Sequence, residues 1–236
     1  MPVPEIVADP GEWLVLVLLG ALTGLDSVSW PQVMTSRPLV AATLAGWVMG
    51  SPSAGFLCGA ALELMAMLYA PYGAARYPET GPASVVAGSA YAAAGASTVA
   101  PLATALLLGW ALARVGGWSV QLQRRVNERL LLGPSDLASR PRRVEARHLL
   151  AMAVDGVRGA LLVGAFAVPA MLITGLSTLG VWAPAQTAYA LAAIVLTIAV
   201  ASGAAARRAA HGVQGWPFFI GGAVLALVLL RLGAVQ

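Results

Sequence analysis

Residues Ala54 to Ala75 read AGFLCGAALELMAMLYAPYGAA, an apolar stretch whose single charged residue is Glu63. A helix rises about 1.5 Å per residue, so a stretch of this length would cross a hydrocarbon core of about 30 Å. A carboxylate at that depth costs roughly 2.5–3.5 kcal/mol on insertion scales. Ionisable groups inside a membrane usually face a cavity or a partner group rather than lipid. Glu63 is therefore the first candidate functional residue.

The composition of the whole chain places it in a membrane. Of its 236 residues, 59% are hydrophobic and 10% are charged, and the mean hydropathy is +0.80. A soluble domain carries about 25% charged residues, so this chain has too few to cover a surface that faces water. We expect a single all-α, polytopic domain over residues 1–236, located in the inner membrane and surrounded by the lipid bilayer. The basic residues are all arginine and cluster in loops, which indicates topology rather than binding to nucleic acid.

Motifs for several other kinds of chemistry are missing from the sequence. The two histidines, His148 and His211, lie beside arginines and have no partner at the spacing of a metal site or a catalytic triad. The chain has no lysine-containing phosphate loop, and its one cysteine, Cys58, excludes an internal disulfide. The first twelve residues carry acidic groups and no arginine, which is the wrong charge for a signal peptide. We expect no metal, no cofactor and no catalytic residue.

Two short apolar runs precede the stretch around Glu63. They are Trp13–Leu25 and Leu39–Gly50, and each is shorter than the roughly 20 residues of a full crossing. The segment between them, LDSVSWPQVMTSRP (residues 25–38), is polar and contains two prolines. Half-length helices joined by such a segment predict a re-entrant hairpin, which is tolerated in a membrane only when it is buried in protein or lines a wet cavity. The alternative is a tilted pair of helices with an external loop.

Further apolar segments bring the predicted total to about seven to nine helical segments, including re-entrant hairpins. The later ones are Ser84–Ala96, Ser97–Ala113, Gly159–Leu176, Ala188–Ala206 and Gly215–Leu230.

Residues 114–147 contain eight arginines and are predicted to form a cytoplasmic loop. This segment is either a solvated loop or a surface for a cytosolic partner. Its first half has the apolar spacing of an amphipathic interfacial helix, carried by Val115, Trp118, Leu122, Val126 and Leu130. Beyond this segment, Asp155 and Arg158 are three residues apart, so we expect them to pair on one helical face near the membrane surface.

The stretch Leu25–Glu79 carries an ordered pattern of polar and small residues. The pattern consists of Asp26, Gln32, Arg37-Pro38-Leu39-Val40, Gly50, Gly59-Ala60, Leu62-Glu63-Leu64, Gly73-Ala74 and Pro78. It resembles the membrane component IIC of the phosphoenolpyruvate-dependent sugar phosphotransferase system (PTS), in its mannose/fructose/sorbose family. A weaker similarity is the segment Trp216-Pro217-Phe218-Phe219, which resembles a segment near the C-terminus of that family.

The resemblance implies a sugar-permease subunit that binds a hexose-like sugar and is not itself phosphorylated. It also implies an oligomeric complex with a IID membrane subunit and with soluble IIA and IIB components, which relay phosphate to the sugar as it is released inside. The predicted substrate-binding residues are Asp26, Gln32, Arg37 and Glu63. Their carboxylate, amide and guanidinium groups supply the hydrogen bonds that sugar hydroxyls need.

Structural roles for the same residues remain open. Arg37 would then close an ion pair with Asp26, Glu63 would hold the backbone of a turn, and Gln32 would be an ordinary loop residue. Trp30 either covers a sugar face or anchors the chain at the membrane interface.

The sequence departs from the family pattern in three places. Ser51 follows Gly50 where family members usually carry Asp, the region after Phe219 is shortened, and residues 114–147 are unusually rich in arginine. Two alternatives to a permease subunit therefore stay open. One is a degenerate IIC protein with a regulatory or scaffold role, and the other is an ion-coupled secondary transporter that acts alone.

Overall fold

The computed structural model describes residues 9–67, 77–95, 99–131 and 141–179. These ranges form six helices and no strand, which confirms the all-α class for them: α1 (Pro10–Val28), α2 (Pro38–Val48), α3 (Pro52–Ala66), α4 (Thr80–Ala93), α5 (Val99–Leu131) and α6 (Pro141–Thr178). The predicted segments Ala188–Ala206 and Gly215–Leu230, and the Trp216-Pro217-Phe218-Phe219 motif, lie outside the described residues. The count of seven to nine segments therefore stays a prediction.

Three of the described helices are long and apolar enough to cross a membrane, namely α1, α5 and α6. The first of them corrects the prediction of a half-length helix over Trp13–Leu25, because α1 has 19 residues. A capping box explains the earlier start. The Asp9 carboxylate accepts a hydrogen bond from the Glu12 N–H at 2.8 Å, and the Glu12 carboxylate accepts one from the Asp9 N–H at 3.0 Å. The predicted hairpin between this helix and α2 is therefore wrong.

The hairpin of short helices is formed instead by α2 and α3, of 11 and 15 residues. They are joined by a tight turn in which Gly50 has φ +72°, in the left-handed region that favours glycine. Backbones approach closely along the hairpin, since a Cβ atom on Gly55 would overlap the carbonyl oxygen of Ala42. Because α3 ends at Ala66, the prediction of one crossing helix over Ala54–Ala75 is wrong.

Helix α4 lies at the centre of the described structure and contacts the other five helices. Every residue from Gly81 to Ala92 is buried. Its small side chains permit this position, because a Cβ atom on Gly88 would lie only 2.6 Å from the carbonyl oxygen of Ala42. The segment is only mildly apolar because it faces protein rather than lipid.

The Arg-rich segment 114–147 is helical on both of its described flanks. Helix α5 has 33 residues and continues through Arg114 to Leu131, and α6 begins at Pro141. The predicted helix in the first half of this segment is confirmed, since arginine is a good helix former, and the cytoplasmic location of the segment stays a prediction. The predicted apolar face is present on the continuation of α5, where Trp118 and Leu122 are strongly exposed. It belongs to a long crossing helix rather than to a separate interfacial one.

Helices α1 and α6 meet backbone to backbone at three glycines. A Cβ atom on Gly159 would overlap the carbonyl oxygen of Gly20 and would lie 3.1 Å from the Cα atom of Gly24. Small residues at such a crossing let two helices pack at short range.

Replacing Gly159 with alanine is expected to destabilise the protein by about 1–3 kcal/mol, because neither helix can accept the added methyl group without moving. Gly164→Ala on the same helix is the matched control, since its Cβ atom would meet its nearest neighbours at 3.5 Å, an ordinary contact. Thermal unfolding of the two variants in one detergent checks the difference. Equal unfolding temperatures would show that the α1–α6 crossing is not tight.

Candidate functional site

Asp26 lies in the last turn of α1 and holds the loop that follows. Its side chain is buried, with 4% of the residue exposed. Oδ1 accepts a hydrogen bond from the backbone N–H of Val33 at 2.6 Å, and Oδ2 accepts one from that of Ser36 at 2.8 Å. Both carboxylate oxygens are thus committed to the backbone of loop 29–37, which connects α1 to α2.

Loop 29–37 has an unusual backbone. Gln32 and Met34 have φ angles of 58° and 68°, in the left-handed region that residues with a Cβ atom seldom adopt. Such conformations cost about 1–3 kcal/mol each and persist only where the surroundings enforce them. The two hydrogen bonds to Asp26 supply that enforcement on either side of Met34.

Glu63, near the end of α3, joins α3 to the start of α2. Its Oε1 forms an ion pair with Arg37 Nη2, and its Oε2 accepts a hydrogen bond from the Leu39 N–H at 3.3 Å. Arg37 is the N-cap residue of α2 but makes no capping bond with its own side chain. Glu63 therefore supplies both an acceptor and a negative charge at the N-terminus of α2.

These contacts decide two of the structural alternatives. The pairing of Arg37 with Asp26 is wrong, because Arg37 pairs with Glu63 and Asp26 binds the loop backbone. Glu63 holds backbone at Leu39, in the first turn of α2, and not at the turn between α2 and α3.

The Arg37–Glu63 pair lies at the edge of the packed protein. The Arg37 side chain is 54% exposed and the Glu63 side chain is 14% exposed. A pair that is half open to its surroundings contributes at most about 1 kcal/mol to stability. Arg37 has five N–H donors, so it can bind another group while it keeps this pair.

The four predicted site residues all belong to or contact the region of loop 29–37. Asp26 holds the loop, Gln32 is exposed within it, Arg37 is its last residue, and Glu63 binds Arg37. Trp30 is also strongly exposed in the loop. The structure joins Arg37 directly to Glu63 and connects them to Asp26 through backbone. Their role as sugar ligands stays a prediction.

Replacing Asp26 with alanine is expected to release the loop, because two hydrogen bonds to a charged acceptor, each worth about 1.5–3 kcal/mol, are lost together. Hydrogen–deuterium exchange of residues 29–37 in detergent should become much faster. Asp9→Ala, which removes the acidic residue at the other end of α1, is the control and should leave exchange in the loop unchanged. Equal exchange rates for residues 29–37 in the two variants would show that Asp26 does not stabilise the loop.

A second cluster of charged residues, centred on Arg158 of α6, is buried. Both Nη atoms of Arg158 bind the carboxylate of Glu79, and Nη2 also binds Asp155 Oδ1 at 2.9 Å. Its Nε donates to Gln123 Oε1 at 2.6 Å, and its Nη1 donates to Ser119 Oγ at 3.0 Å. Glu79 and Asp155 are 4% and 2% exposed. The predicted pairing of Asp155 with Arg158 is confirmed.

This buried cluster connects four parts of the fold. Glu79 directly precedes α4, and its backbone N–H donates to the carbonyl of Ala113 in α5 at 2.9 Å. Gly116 leaves room for its carboxylate, since a Cβ atom there would lie 2.9 Å from Glu79 Oε2. Asp155 Oδ2 accepts a hydrogen bond from Ser29 Oγ at 2.8 Å. The start of loop 29–37 is thus tied to α6, and α6 is tied to α5 and to the start of α4.

Sequence reasoning missed Glu79 and Gln123 as members of this cluster. Glu79 is the last residue of the stretch Leu25–Glu79 that resembles the family. The three-residue spacing of Asp155 and Arg158 predicted their pairing but gave no indication of a third partner. The contact of Arg158 with Glu79 spans 79 residues, and no local pattern predicts it. The part of the chain that the structure describes has no group of three His, Cys, Asp or Glu side chains that could hold a metal ion.

Three helices long and apolar enough to cross a membrane, a hairpin of short helices and a polar loop held by a buried carboxylate are features of a helical membrane protein. Residues 11–129, about half of the chain, match the family model of the PTS system sorbose-specific IIC component. The chain belongs to this family, as its stretch Leu25–Glu79 suggested.

Individual relatives and solved structures agree with this assignment. The chain is 42% identical over 73 residues to the fructose permease IIC component of Bacillus subtilis (strain 168), covering 31% of this chain and 27% of that protein. It is 27% identical over 164 residues to the PTS system sorbose-specific EIIC component of Klebsiella pneumoniae, covering 68% of this chain and 57% of that protein. The matched region thus spans less than two thirds of either relative.

Two solved structures share the fold. One, described as the structure of a membrane protein, superposes with a TM-score of 0.72 at 21% identity, covering 97% of this chain and 92% of its own. The other is the cryo-EM structure of the mannose transporter ManYZ in complex with microcin E492. It has a TM-score of 0.59 at 21% identity, with the same coverage of both chains.

Proposed function

We propose that the chain is the sugar-permease (IIC) subunit of a phosphoenolpyruvate-dependent sugar phosphotransferase system. It is a multi-pass protein of the inner membrane that binds a hexose-like sugar and passes it across the bilayer. Family membership supports this proposal, as do the relatives named as fructose and sorbose components. The observation that carries it is the ion pair of Glu63 with the half-exposed Arg37 beside a loop that Asp26 holds in place.

The proposal assigns different work to the predicted site residues. Glu63 accepts hydrogen bonds from sugar hydroxyls, Arg37 donates them, and the exposed Gln32 amide does both. Charge-assisted hydrogen bonds of this kind are the stronger ones. Asp26 positions the loop instead of touching the sugar, because it is 4% exposed, whereas the Glu63 side chain is 14% exposed and each carboxylate oxygen can accept a second hydrogen bond.

Phosphoryl transfer in this proposal belongs to the partner proteins. Soluble IIA and IIB components relay phosphate to the sugar, and a IID subunit completes the membrane complex. The proposal rests here on what the family implies, and on the isolated positions of the two histidines in the sequence.

Reconstitution tests the proposal directly. The chain is placed in vesicles with its IID subunit, and the soluble phosphate relay and phosphoenolpyruvate are supplied on the side of the IIB component. Labelled fructose, mannose and sorbose are offered on the other side. We expect one of them to accumulate as its phosphate, and only when both the chain and phosphoenolpyruvate are present.

Two results would contradict the proposal. Uptake that needs a proton gradient and no phosphoenolpyruvate would identify an ion-coupled transporter. Sugar binding that never yields a phosphorylated product would identify a regulatory protein.

A further inference from the structure

A cavity of about 310 Å³ lies between α5, α6 and the end of α1. Its polar lining consists of Ser29, Gln123, Arg124, Asn127, His148 and Asp155. Its volume falls within the range of about 300–1,000 Å³ that is usual for small-molecule sites in proteins. None of the four predicted sugar-binding residues lines it.

The groups in this lining suit a ligand that both donates and accepts hydrogen bonds. Two amides, a hydroxyl and a carboxylate approach from three separate elements. The side-chain oxygen of Asn127 is buried and accepts no hydrogen bond from the described residues. A buried polar atom without a partner is unfavourable, so rotation of the Asn127 side chain toward a ligand hydroxyl in the cavity would be favoured.

The charges around the cavity favour an uncharged ligand. Asp155 and Glu79 carry two negative charges, and Arg158, which binds both of them, carries one positive charge. Arg124 in the lining adds the second positive charge. The charges of these four groups sum to zero, so they give an anion no net attraction, whereas a polyhydroxylated ligand can bind the amide and hydroxyl groups of the lining. The apolar walls, which include Val120 and Met152, suit the C–H face of a sugar ring.

The cavity is linked to the predicted sugar site through one loop. Ser29 lines the cavity, donates a hydrogen bond to Asp155 and begins loop 29–37. Arg37 ends the same loop and pairs with Glu63. We propose that the cavity is a second binding site for an uncharged polyhydroxylated ligand, the transported sugar, at the opposite end of this loop from Glu63. This inference rests on the proposed function and adds a second position for the sugar.

Labelling of a cysteine in the cavity tests the inference. Cys58, the one native cysteine, is fully buried, so Ala151→Cys, at a lining position without a polar group, offers a maleimide a single accessible thiol in the full chain. The labelling rate is measured in lipid nanodiscs against increasing fructose, mannose and sorbose. Labelling needs an empty site, and a sugar at about nine times its half-protecting concentration leaves about one tenth of the sites empty. We therefore expect about tenfold slower labelling at that concentration. Arg125→Cys, an exposed position on α5 outside the cavity lining, is the control and should label at a constant rate.

A second variant separates direct occupancy from an effect of the first site. With Glu63→Gln added to Ala151→Cys, protection should keep its half-protecting concentration within about twofold, which is the usual limit of additivity for separate sites. Loss of protection in that double variant would overturn the inference, since protection would then come from the Glu63 site.

The inference and the proposed function fail in different ways. If the reconstituted complex takes up sugar but the Ala151→Cys variant is labelled equally fast with and without that sugar, the cavity proposal alone is overturned. If no sugar is taken up or bound by the unmodified protein, the proposed function fails and the second site fails with it.

Discussion

Replacing Arg158 with methionine is expected to lower the free energy of unfolding by about 3–5 kcal/mol, the usual effect of removing one partner from a buried ion pair. The loss leaves the carboxylates of Glu79 and Asp155 buried without their guanidinium partner. Solvent offers little compensation, because these two side chains are each 3% exposed and that of Arg158 is 10% exposed. Methionine keeps most of the volume and the helix propensity of arginine, so the change isolates the charge.

Thermal unfolding in detergent, followed by size-exclusion chromatography, measures this loss. Arg125→Met is the control, since Arg125 is exposed on α5 and should tolerate the change. A triple variant that adds Glu79→Gln and Asp155→Asn removes the unpaired charges and should recover part of the stability. An Arg158→Met protein as stable as the Arg125→Met control would show that the cluster does not hold the helices together.

Replacing Glu63 with glutamine is expected to weaken sugar binding by roughly 10–100-fold, because hydrogen bonds to a charged group contribute about 1.5–3 kcal/mol and about 1.4 kcal/mol corresponds to a factor of ten. Glutamine has the same shape and retains an acceptor for the Leu39 N–H. The ion pair with Arg37 is lost, but its half-exposed position limits the effect on folding. We therefore expect a large change in affinity with the fold intact.

Calorimetric titration with the transported sugar measures the affinity of this variant. Glu128→Gln removes an exposed carboxylate from α5 and serves as the control, with no expected change in the dissociation constant. A dissociation constant for Glu63→Gln equal to that of the unmodified protein would remove Glu63 from the sugar site.

The sequence predicted the helical class and the importance of loop 29–37 but misplaced several helix ends. Helix α1 was predicted too short because its capping box, Asp9 and Glu12, is charged and lies outside the apolar run. The end of α3 at Ala66 was missed because the apolar run continues past it, so hydropathy alone gave no signal. The segment Ser97–Ala113 and the helix predicted after it are one helix, α5, because the arginines that follow Ala113 end the apolar run but not the helical backbone.

The candidate site was predictable only in its composition. Asp26, Arg37 and Glu63 were marked by their polarity within apolar surroundings, but their pairing depends on the path of the backbone. The sequence did not determine which carboxylate pairs with Arg37. Arg37 pairs with Glu63 because α3 packs against the start of α2. The contact of Glu79 with Arg158 joins residues far apart in the chain, for which a single sequence carries no signal.

The glycine contacts between α2 and α3 have a consequence for any motion of this region. Gly55 packs against the backbone of Ala42, and Gly59 packs against that of Pro38. If α2 and α3 slid or separated, these close backbone contacts along the hairpin would be lost. Arg37 is the N-cap residue of α2 and Glu63 lies on α3, so a displaced hairpin would carry both as a single rigid body. Opening and closing of a passage here would therefore leave their ion pair unbroken, and the strain would fall on loop 29–37, where the chain leaves the hairpin for α1.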